Sequence, residues 1–232
     1  MEPTVTADTT LRRTVSVVCE LLADDSARRR RLHEQESTLR AELVACLLSS
    51  QVQARSVDLA MQRLGGEGLL SDARWCVLDS DFEHDVTRCL GRRDDGYGGA
   101  YRFPAAKGRQ IAQIRSELLS RPLVSRTSNV EDVRKLRKEL IRDLIGIGPK
   151  QASMFLRNVG ISYDLAILDV HVLKFMQSID LLPTSIVAIG TLAAYERVEL
   201  VVKEYAKTCE HPVGYLDWAI WITMQALKEL KT

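Results

Sequence analysis

Apolar residues recur at three- and four-residue spacings along most of this sequence, and no convincing stretch alternates apolar with polar residues. The first spacing gathers apolar side chains on one face of an α-helix, whereas alternation would indicate β-strands. The pattern therefore predicts an all-α fold. With 232 residues, of which 46% are hydrophobic, the chain can bury a sizeable core as one domain or as two closely packed lobes.

Short turns that contain glycine or proline separate the predicted helices. Turn signals include "GGEG" at 65–68, "RRDDGYGG" at 92–99 and "GIGP" at 146–149. The predicted helices span 10–23, 27–49, 52–64, 71–78, 82–91, 104–119, 131–144, 149–159, 169–179, 184–207 and 212–229. No linker rich in serine and proline divides the chain.

The sequence carries no signal for membrane insertion or for a metal site. Its first ten residues lack the basic start and apolar run of a signal peptide, and no window approaches the ~20 apolar residues that span a bilayer. The five cysteines occur singly, without the pair spacings of metal ligands or redox motifs. We therefore expect a cytoplasmic protein with reduced, mostly buried thiols, no membrane association and no metal.

Positive charge is concentrated in one segment, although the net charge is only +1. Residues 101–150 contain 12 Lys and Arg against 5 Asp and Glu. A local basic excess is typical of a face that binds phosphate groups. The alternative is a solvated helix surface with no ligand.

The basic segment ends in a predicted helix, glycine turn and second helix. In "EDVRKLRKELIRDL" (131–144), apolar residues share one face and the basic residues, Lys138 and Arg142 among them, surround the remainder. Gly146 and Gly148 then permit a tight turn and a close approach of backbone to phosphate, and Pro149 suits the first turn of the next helix. Free N–H groups at that helix start would bind an anion. A plain helix cap followed by a new helix would also use glycine.

Two charged residues follow the turn at positions that suit catalysis. Lys150 falls near the second position of the second helix, where the helix dipole disfavours a cation and favours the neutral, nucleophilic amine. Asp169 precedes "VHVLKFMQSI" and is predicted to be the N-cap of that helix. Its carboxylate could stabilise a cationic sugar-like transition state or transfer protons for the lysine. The alternative is an aspartate that only caps a helix.

The strings "LIGIGPK" and "AILDVHV" together resemble the helix-hairpin-helix (HhH-GPD) superfamily of DNA glycosylases. The longer string "GIGPKQASMFLRNVG", followed by "DLAILDVHVLKF", is most similar to archaeal-type 8-oxoguanine DNA glycosylases with AP lyase activity. Further similar segments are "ELVACLLSSQ" (42–51), "YRFPAAKGRQIAQIR" (101–115) and "LDWAIW" (216–221). The resemblance covers roughly residues 40–232.

The resemblance implies a two-lobed helical fold and a lysine-based mechanism. Lys150 would attack C1′ of a flipped nucleotide and form a Schiff base, and Asp169 would assist the attack. Gln51 would fill the gap left in the duplex, and the base would stack between Phe103 and Trp221. Other family members end in a lysine that helps recognise the oxidised guanine, whereas here Lys231 is followed by Thr232.

The resemblance also sets expectations for domains, cofactors and partners. Residues 1–35 stay unassigned and partly helical, and the glycosylase domain is expected over 36–232. One lobe is expected at about 52–160, with the hairpin, and the other from 36–51 plus 161–232. Because a single cysteine follows Asp169, we expect no iron–sulfur cluster; a monovalent cation could bind hairpin carbonyls. The expected partner is double-stranded DNA with a modified base, bound by a monomer.

Three functions agree with these residues to different degrees. The first is removal of an oxidised purine, most simply 8-oxoguanine, followed by strand cleavage. The second keeps this chemistry but acts on a different modified base, for example in phage DNA. The third is a non-catalytic helix-hairpin-helix DNA-binding protein, for which loss of Lys150 or Asp169 would be expected. A metal-dependent nuclease is disfavoured because no acidic or histidine cluster accompanies the turn.

Overall fold

The computed structural model describes residues 7–26, 35–93, 99–186 and 189–229, and within these residues the chain forms helices and turns without any β-strand. The all-α prediction is therefore confirmed. The helices are α1 (Ala7–Ser26), α2 (Glu36–Leu48), α3 (Ala54–Gly66), α4 (Asp72–Trp75), α5 (Phe82–Gly91), α6 (Pro104–Ser120), α7 (Leu123–Thr127), α8 (Val133–Asp143), α9 (Pro149–Asn158), α10 (Val170–Ser178), α11 (Leu192–Thr208) and α12 (Val213–Glu229). No helix in the described residues is long and apolar enough to cross a membrane.

The first of two compact units combines α1 with the chain from Ser162 onwards, and we call it the terminal unit. α1 packs along α12, which also contacts α10 and α11. Val15 and Cys19 of α1 are buried in the same core as Phe175 and Met176 of α10. The helical part of the N-terminal segment is thus an integral part of this unit's core.

The second unit contains α2 to α9 and ends at Ile161, and we call it the hairpin unit. α5 packs on α6 and α3, α8 packs on α9 across the glycine turn, and α2 contacts α9, α3 and α7. The family resemblance predicts that residues 36–51 belong to the other lobe, but the structure places α2 in the hairpin unit. The reason is that its buried residues, such as Leu43 and Leu47, face helices of this unit.

One helix was not predicted, and another begins later than predicted, for identifiable reasons. The short helix α7 was not predicted, because its N-terminal N–H groups are capped from far away in sequence: the Glu36 carboxylate accepts hydrogen bonds from Leu123 (3.0 Å) and Val124 (2.8 Å). α11 begins at Leu192, not at 184, and the hydroxyl of its N-cap Thr191 accepts from Ala194 N–H at 3.2 Å. Part of the second predicted helix, residues 27–34, lies outside the described residues.

One residue of the predicted basic surface is instead buried. Arg137 on α8 is 0% exposed, and its Nη1 donates a hydrogen bond to Ser153 Oγ on α9 at 3.2 Å. The amphipathic pattern predicts that every arginine of this helix faces outward. Arg137 instead joins α8 to α9, the two helices of the hairpin. Lys138 and Arg142 on the same helix are exposed, as expected.

Candidate active site

The turn between α8 and α9 needs glycine conformation at one position. Gly146 has φ +79°, in the left-handed region that L side chains rarely adopt. Gly148 is the N-cap of α9 in an extended conformation (φ −94°, ψ −179°), which any residue can take. The prediction that the turn requires unusual φ values is thus confirmed for Gly146 and wrong for Gly148.

Both glycines nevertheless give room to neighbouring side chains. A Cβ at Gly146 would lie 2.5 Å from Cδ of Gln110, and one at Gly148 would lie 3.1 Å from Oε1 of Gln151. Gln110 reaches the turn from α6, so nothing in the local sequence could have identified it. The turn is therefore packed between two glutamine side chains.

Lys150 occupies the second position of α9, after Pro149 at the first, as predicted. Its side chain is half-buried, and no hydrogen bond or ion pair engages its Nζ among the residues described. The buried residues Ala152, Phe155 and Leu156 anchor α9 behind it. α9 thus presents an amine that is held by a packed helix and has no competing partner in the described structure.

A buried thiol on α2 lies in the electrostatic environment of this lysine. Burial raises the pKa of Cys46 well above its usual value, and the neighbouring Glu42 raises it further. The positive charges of Arg157 and Lys150 oppose that rise. Cys46 is therefore a neutral thiol, and Lys150 lies near the α2 face that carries it. Cys19 and Cys89 are also buried, whereas Cys76 is exposed.

The end of α2 and the start of α6 meet at Gln51. Gln51 is exposed and has a left-handed backbone (φ 58°), and its carbonyl accepts a hydrogen bond from Arg102 Nη1 at 3.2 Å. The Arg102 guanidinium also lies over the ring of Phe103, 4.8 Å from its centroid. Tyr101 donates to the Leu48 carbonyl at 2.6 Å. Arg102 thus contacts both Gln51, the predicted gap-filling residue, and Phe103, one of the predicted base-stacking residues.

Arg142 is exposed but paired. Its Nε donates to Asp143 Oδ1 at 2.7 Å, and the buried Arg126 donates to Asp143 Oδ2 at 2.7 Å. The hydrogen bond from Arg142 and that from Arg126 hold the pKa of the Asp143 carboxyl below its ordinary value. A phosphate that binds Arg142 would therefore compete with an existing salt bridge.

In the terminal unit, Asp169 is the N-cap of α10, as predicted. Its Oδ1 accepts the backbone N–H groups of both His171 (2.8 Å) and Val172 (2.9 Å). No hydrogen bond reaches Oδ2 from any residue that the structure describes. One carboxylate oxygen thus fixes the side chain, and the other is available to a substrate.

Three buried side chains fix the backbone that leads to Asp169. Glu199 and Asp217 accept the N–H groups of Ala166 (2.9 Å) and Ile167 (2.7 Å). The Tyr195 hydroxyl accepts the Leu168 N–H at 2.9 Å and donates to the Ala166 carbonyl at 2.8 Å. Glu199, Asp217 and Tyr195 are 3%, 2% and 3% exposed. This support was not predicted, although the acidic residue inside the apolar stretch "LDWAIW" was a signal for it.

The predicted site residues divide between the two units. The hairpin unit holds Lys150, Gln51, Phe103, Gly146, Gly148, Lys138 and Arg142. The terminal unit holds Asp169 and the half-buried Trp221 of α12. Lys231 lies outside the described residues. No group of three or more His, Cys, Asp or Glu side chains suited to a metal ion occurs within the described ranges.

Comparison with known proteins assigns the family. The model of the helix-hairpin-helix 8-oxoguanine DNA glycosylase family matches residues 24–211. The 8-oxoguanine DNA glycosylase/AP lyase of Metallosphaera sedula is 30% identical over 180 residues, 78% of each chain. The crystal structure of the Thermotoga maritima 8-oxoguanine DNA glycosylase superposes with a TM-score of 0.72 at 27% identity, covering 92% of this chain and 93% of that one.

A second solved structure supports the fold at lower identity. The Methanocaldococcus jannaschii 8-oxoguanine glycosylase/lyase, in complex with 15mer DNA containing 8-oxoguanine, has a TM-score of 0.67 and 21% identity. The match covers 87% of this chain and 88% of that one. The family model spans both the hairpin with Lys150 and the helix capped by Asp169. On these grounds the chain belongs to the 8-oxoguanine DNA glycosylase family.

Proposed function

We propose that this protein removes 8-oxoguanine from DNA and then cleaves the strand at the resulting site, as a DNA glycosylase/AP lyase. The observation that carries the proposal is the amine of Lys150, which the hairpin presents at the start of α9 without a hydrogen-bonding or ion-pairing partner in the described residues. Membership of the 8-oxoguanine DNA glycosylase family supports the choice of base.

Lys150 is the proposed nucleophile. Its neutral amine attacks C1′, a bond forms between Nζ and C1′, and the glycosidic bond breaks, so that the base leaves with the electron pair and takes up a proton. Ring opening of the sugar gives a Schiff base. Loss of a proton from C2′ then expels the 3′ phosphate by β-elimination. Cys46 remains a neutral thiol through this sequence because burial raises its pKa, so it does not compete as the attacking group.

Asp169 is the proposed electrostatic partner. Its Oδ1 accepts two helix N–H groups, which fixes the carboxylate, while Oδ2 is available to stabilise positive charge that develops on the sugar. The same oxygen can accept a proton from the lysine ammonium. The buried contacts of Glu199, Asp217 and Tyr195 with the preceding backbone keep the carboxylate in place.

The remaining proposed roles concern DNA. The N–H groups of Lys150 and Gln151 have no partner among the described residues and suit a phosphate at the start of α9. Lys138 and Arg142 supply nearby positive charge. Gln51 fills the gap in the duplex.

The base would stack between Phe103 and Trp221. A role of Lys231 in recognising the base remains a prediction, because this residue lies outside the described residues. We further propose that the protein acts as a monomer on cytoplasmic DNA and needs no cofactor. Binding of a monovalent cation to the hairpin carbonyls remains a prediction.

Borohydride trapping tests the proposal. Duplexes that carry a panel of modified bases are incubated with wild-type protein and with Lys150→Gln in the presence of sodium borohydride. We expect a covalent protein–DNA adduct with the 8-oxoguanine duplex that Lys150→Gln does not form. Gln113, an exposed glutamine of α6, provides a control variant, Gln113→Ala, that should trap normally.

The same panel separates the two alternatives. An adduct with a different modified base, and none with 8-oxoguanine, would support the same chemistry on another substrate. Duplex binding without base release or an adduct for any member of the panel would support a non-catalytic DNA-binding protein.

A further inference from the structure

We propose that Ser50 and Gln151 are positioning residues that hold the nucleophile at a fixed spacing from the residue that fills the duplex gap. The inference rests on the proposed roles of Lys150 and Gln51. Gln151 Nε2 donates a hydrogen bond to Ser50 Oγ at 2.7 Å, between residues 101 apart in sequence. Ser50 directly precedes Gln51, and Gln151 directly follows Lys150. One hydrogen bond therefore joins the two functional positions within the hairpin unit.

A second hydrogen bond fixes the register of the same two helices. Near the other end of α9, Asn158 Nδ2 donates to Glu42 Oε1 on α2 at 2.7 Å. The pairs 50 with 151 and 42 with 158 run in opposite directions, so α2 and α9 pack antiparallel and are joined near both ends of α9. Each bond opposes sliding of one helix along the other. The position of Lys150 along the axis of α2 is therefore fixed relative to the end of that helix.

The Gln51 end of the linkage is also fixed. Three other non-glycine residues with positive φ, Asn129, Asp180 and Glu210, directly follow a helix C-cap, where the left-handed conformation is common. Gln51 instead lies two residues beyond the C-cap Ser49. A conformation this rarely populated persists where surrounding contacts enforce it. The Arg102 hydrogen bond to the Gln51 carbonyl is one such contact, and the Gln151 hydrogen bond holds the neighbouring residue, Ser50.

Gly148 explains how the Gln151 amide is oriented. Gln151 Oε1 lies 3.1 Å from the position that a Cβ on Gly148 would take, so the carboxamide folds back over the turn. This orientation directs Nε2 towards Ser50 and leaves the Lys150 amine without a glutamine contact. The second glycine of the motif thus serves side-chain packing, since its backbone conformation does not require glycine.

The hydrogen bond between Ser50 and Gln151 would determine how far a nucleotide must move out of the duplex before Lys150 can attack it. The residue in the gap marks the position of the vacated base step, and the lysine marks the position where C1′ must be attacked. A fixed spacing between them makes attack productive only when the gap is filled and the sugar is displaced by the matching distance. Small errors in such placement reduce rates strongly. The linkage should therefore affect the chemical step more than DNA binding.

Single-turnover excision kinetics test this proposal. Gln151→Ala and Ser50→Ala are compared with wild-type protein and with Gln113→Ala on the duplex that gives the adduct. We expect the excision rate to fall by roughly 10-fold or more in both variants. The duplex Kd should change by less than about threefold, and Gln113→Ala should match wild type. Gln151→Glu, which can accept a hydrogen bond from the Ser50 hydroxyl, should restore most of the rate.

A double-mutant cycle supplies the decisive comparison. If Gln151 acts through the turn that carries Gln51, then Gln151→Ala should cost much less in a Gln51→Ala background than in wild type. Equal costs in both backgrounds, or a rate loss matched by an equal loss of duplex affinity, would overturn the inference while Lys150→Gln remains inactive. Excision by Lys150→Gln would instead overturn the proposed function, and this inference with it.

Discussion

Asp169 uses a single carboxylate oxygen, Oδ1, to accept the N–H group of Val172 at 2.9 Å. The same atom also accepts the N–H group of His171. Asparagine caps helices about as well as aspartate, because its side-chain oxygen accepts the same bonds. Asp169→Asn should therefore retain folding and duplex affinity but lose the charge that we propose stabilises the transition state. We expect excision to fall by at least about 100-fold, measured in single-turnover assays, with an unchanged far-ultraviolet circular dichroism spectrum.

Asp132 offers a matched control for this substitution. It is the N-cap of α8 and accepts the N–H groups of Arg134 (2.8 Å) and Lys135 (3.1 Å), but it has no proposed catalytic role. Asp132→Asn should keep wild-type excision. If Asp169→Asn excises at the wild-type rate, or unfolds where Asp132→Asn does not, then Asp169 is mainly a structural cap.

Tyr195 satisfies two backbone groups next to Asp169, the proposed catalytic aspartate. Its buried hydroxyl accepts the Leu168 N–H and donates to the Ala166 carbonyl. Tyr195→Phe leaves both groups without that partner, and an unsatisfied buried polar group costs about 1–3 kcal/mol. We expect a lower urea midpoint and slower excision, because the segment that carries Asp169 loses part of its support. Equal stability and rate in the two proteins would show that other contacts hold the segment.

Much of the fold follows from local sequence signals. The bounds of α5 match the prediction, and α9 begins at Pro149 as predicted, since helix propensity, apolar periodicity and turn residues act over a few positions. The start of α7 depends on Glu36, which lies 87 residues away from Leu123 in sequence. Arg137 likewise is buried with a hydrogen bond to Ser153 on the next helix. Such pairings have no local signature.

The candidate site divides in the same way. The N-cap role of Asp169 and the helix-start position of Lys150 were predictable, because each depends on neighbours within one turn. The contacts that position them were not. Gln110 packs on Gly146 from a separate helix, and Gln151 reaches Ser50 across 101 residues. Local sequence signals therefore predict the helix positions of the two candidate reacting groups but not the side chains that fix their geometry.

The two glycines of the turn should respond differently to alanine. Alanine at Gly146 must adopt φ near +79° and displace the Gln110 carboxamide, and a left-handed alanine costs about 1–2 kcal/mol. Alanine at Gly148 keeps an ordinary extended backbone and requires only a small shift of the flexible Gln151 carboxamide, so its cost should stay below about 0.5 kcal/mol. Urea denaturation of both variants measures the difference. A Gly148→Ala variant as unstable as Gly146→Ala would contradict this account of the turn.

Asp143 should make stability depend on pH in the acid range. Hydrogen bonds from Arg142 and Arg126 hold its pKa below the ordinary 3.8, so the carboxylate stabilises the fold above pH 3.8. This contribution is lost as the pH falls through the lowered value. Asp143→Asn should therefore cost about 1 kcal/mol at pH 7, after allowance for screening of the exposed Arg142, and progressively less below pH 4. Urea unfolding at pH 7 and below pH 4 tests this prediction, with Asp58→Asn, at an exposed position, as the control. An equal loss of unfolding free energy in Asp143→Asn under both conditions would contradict it.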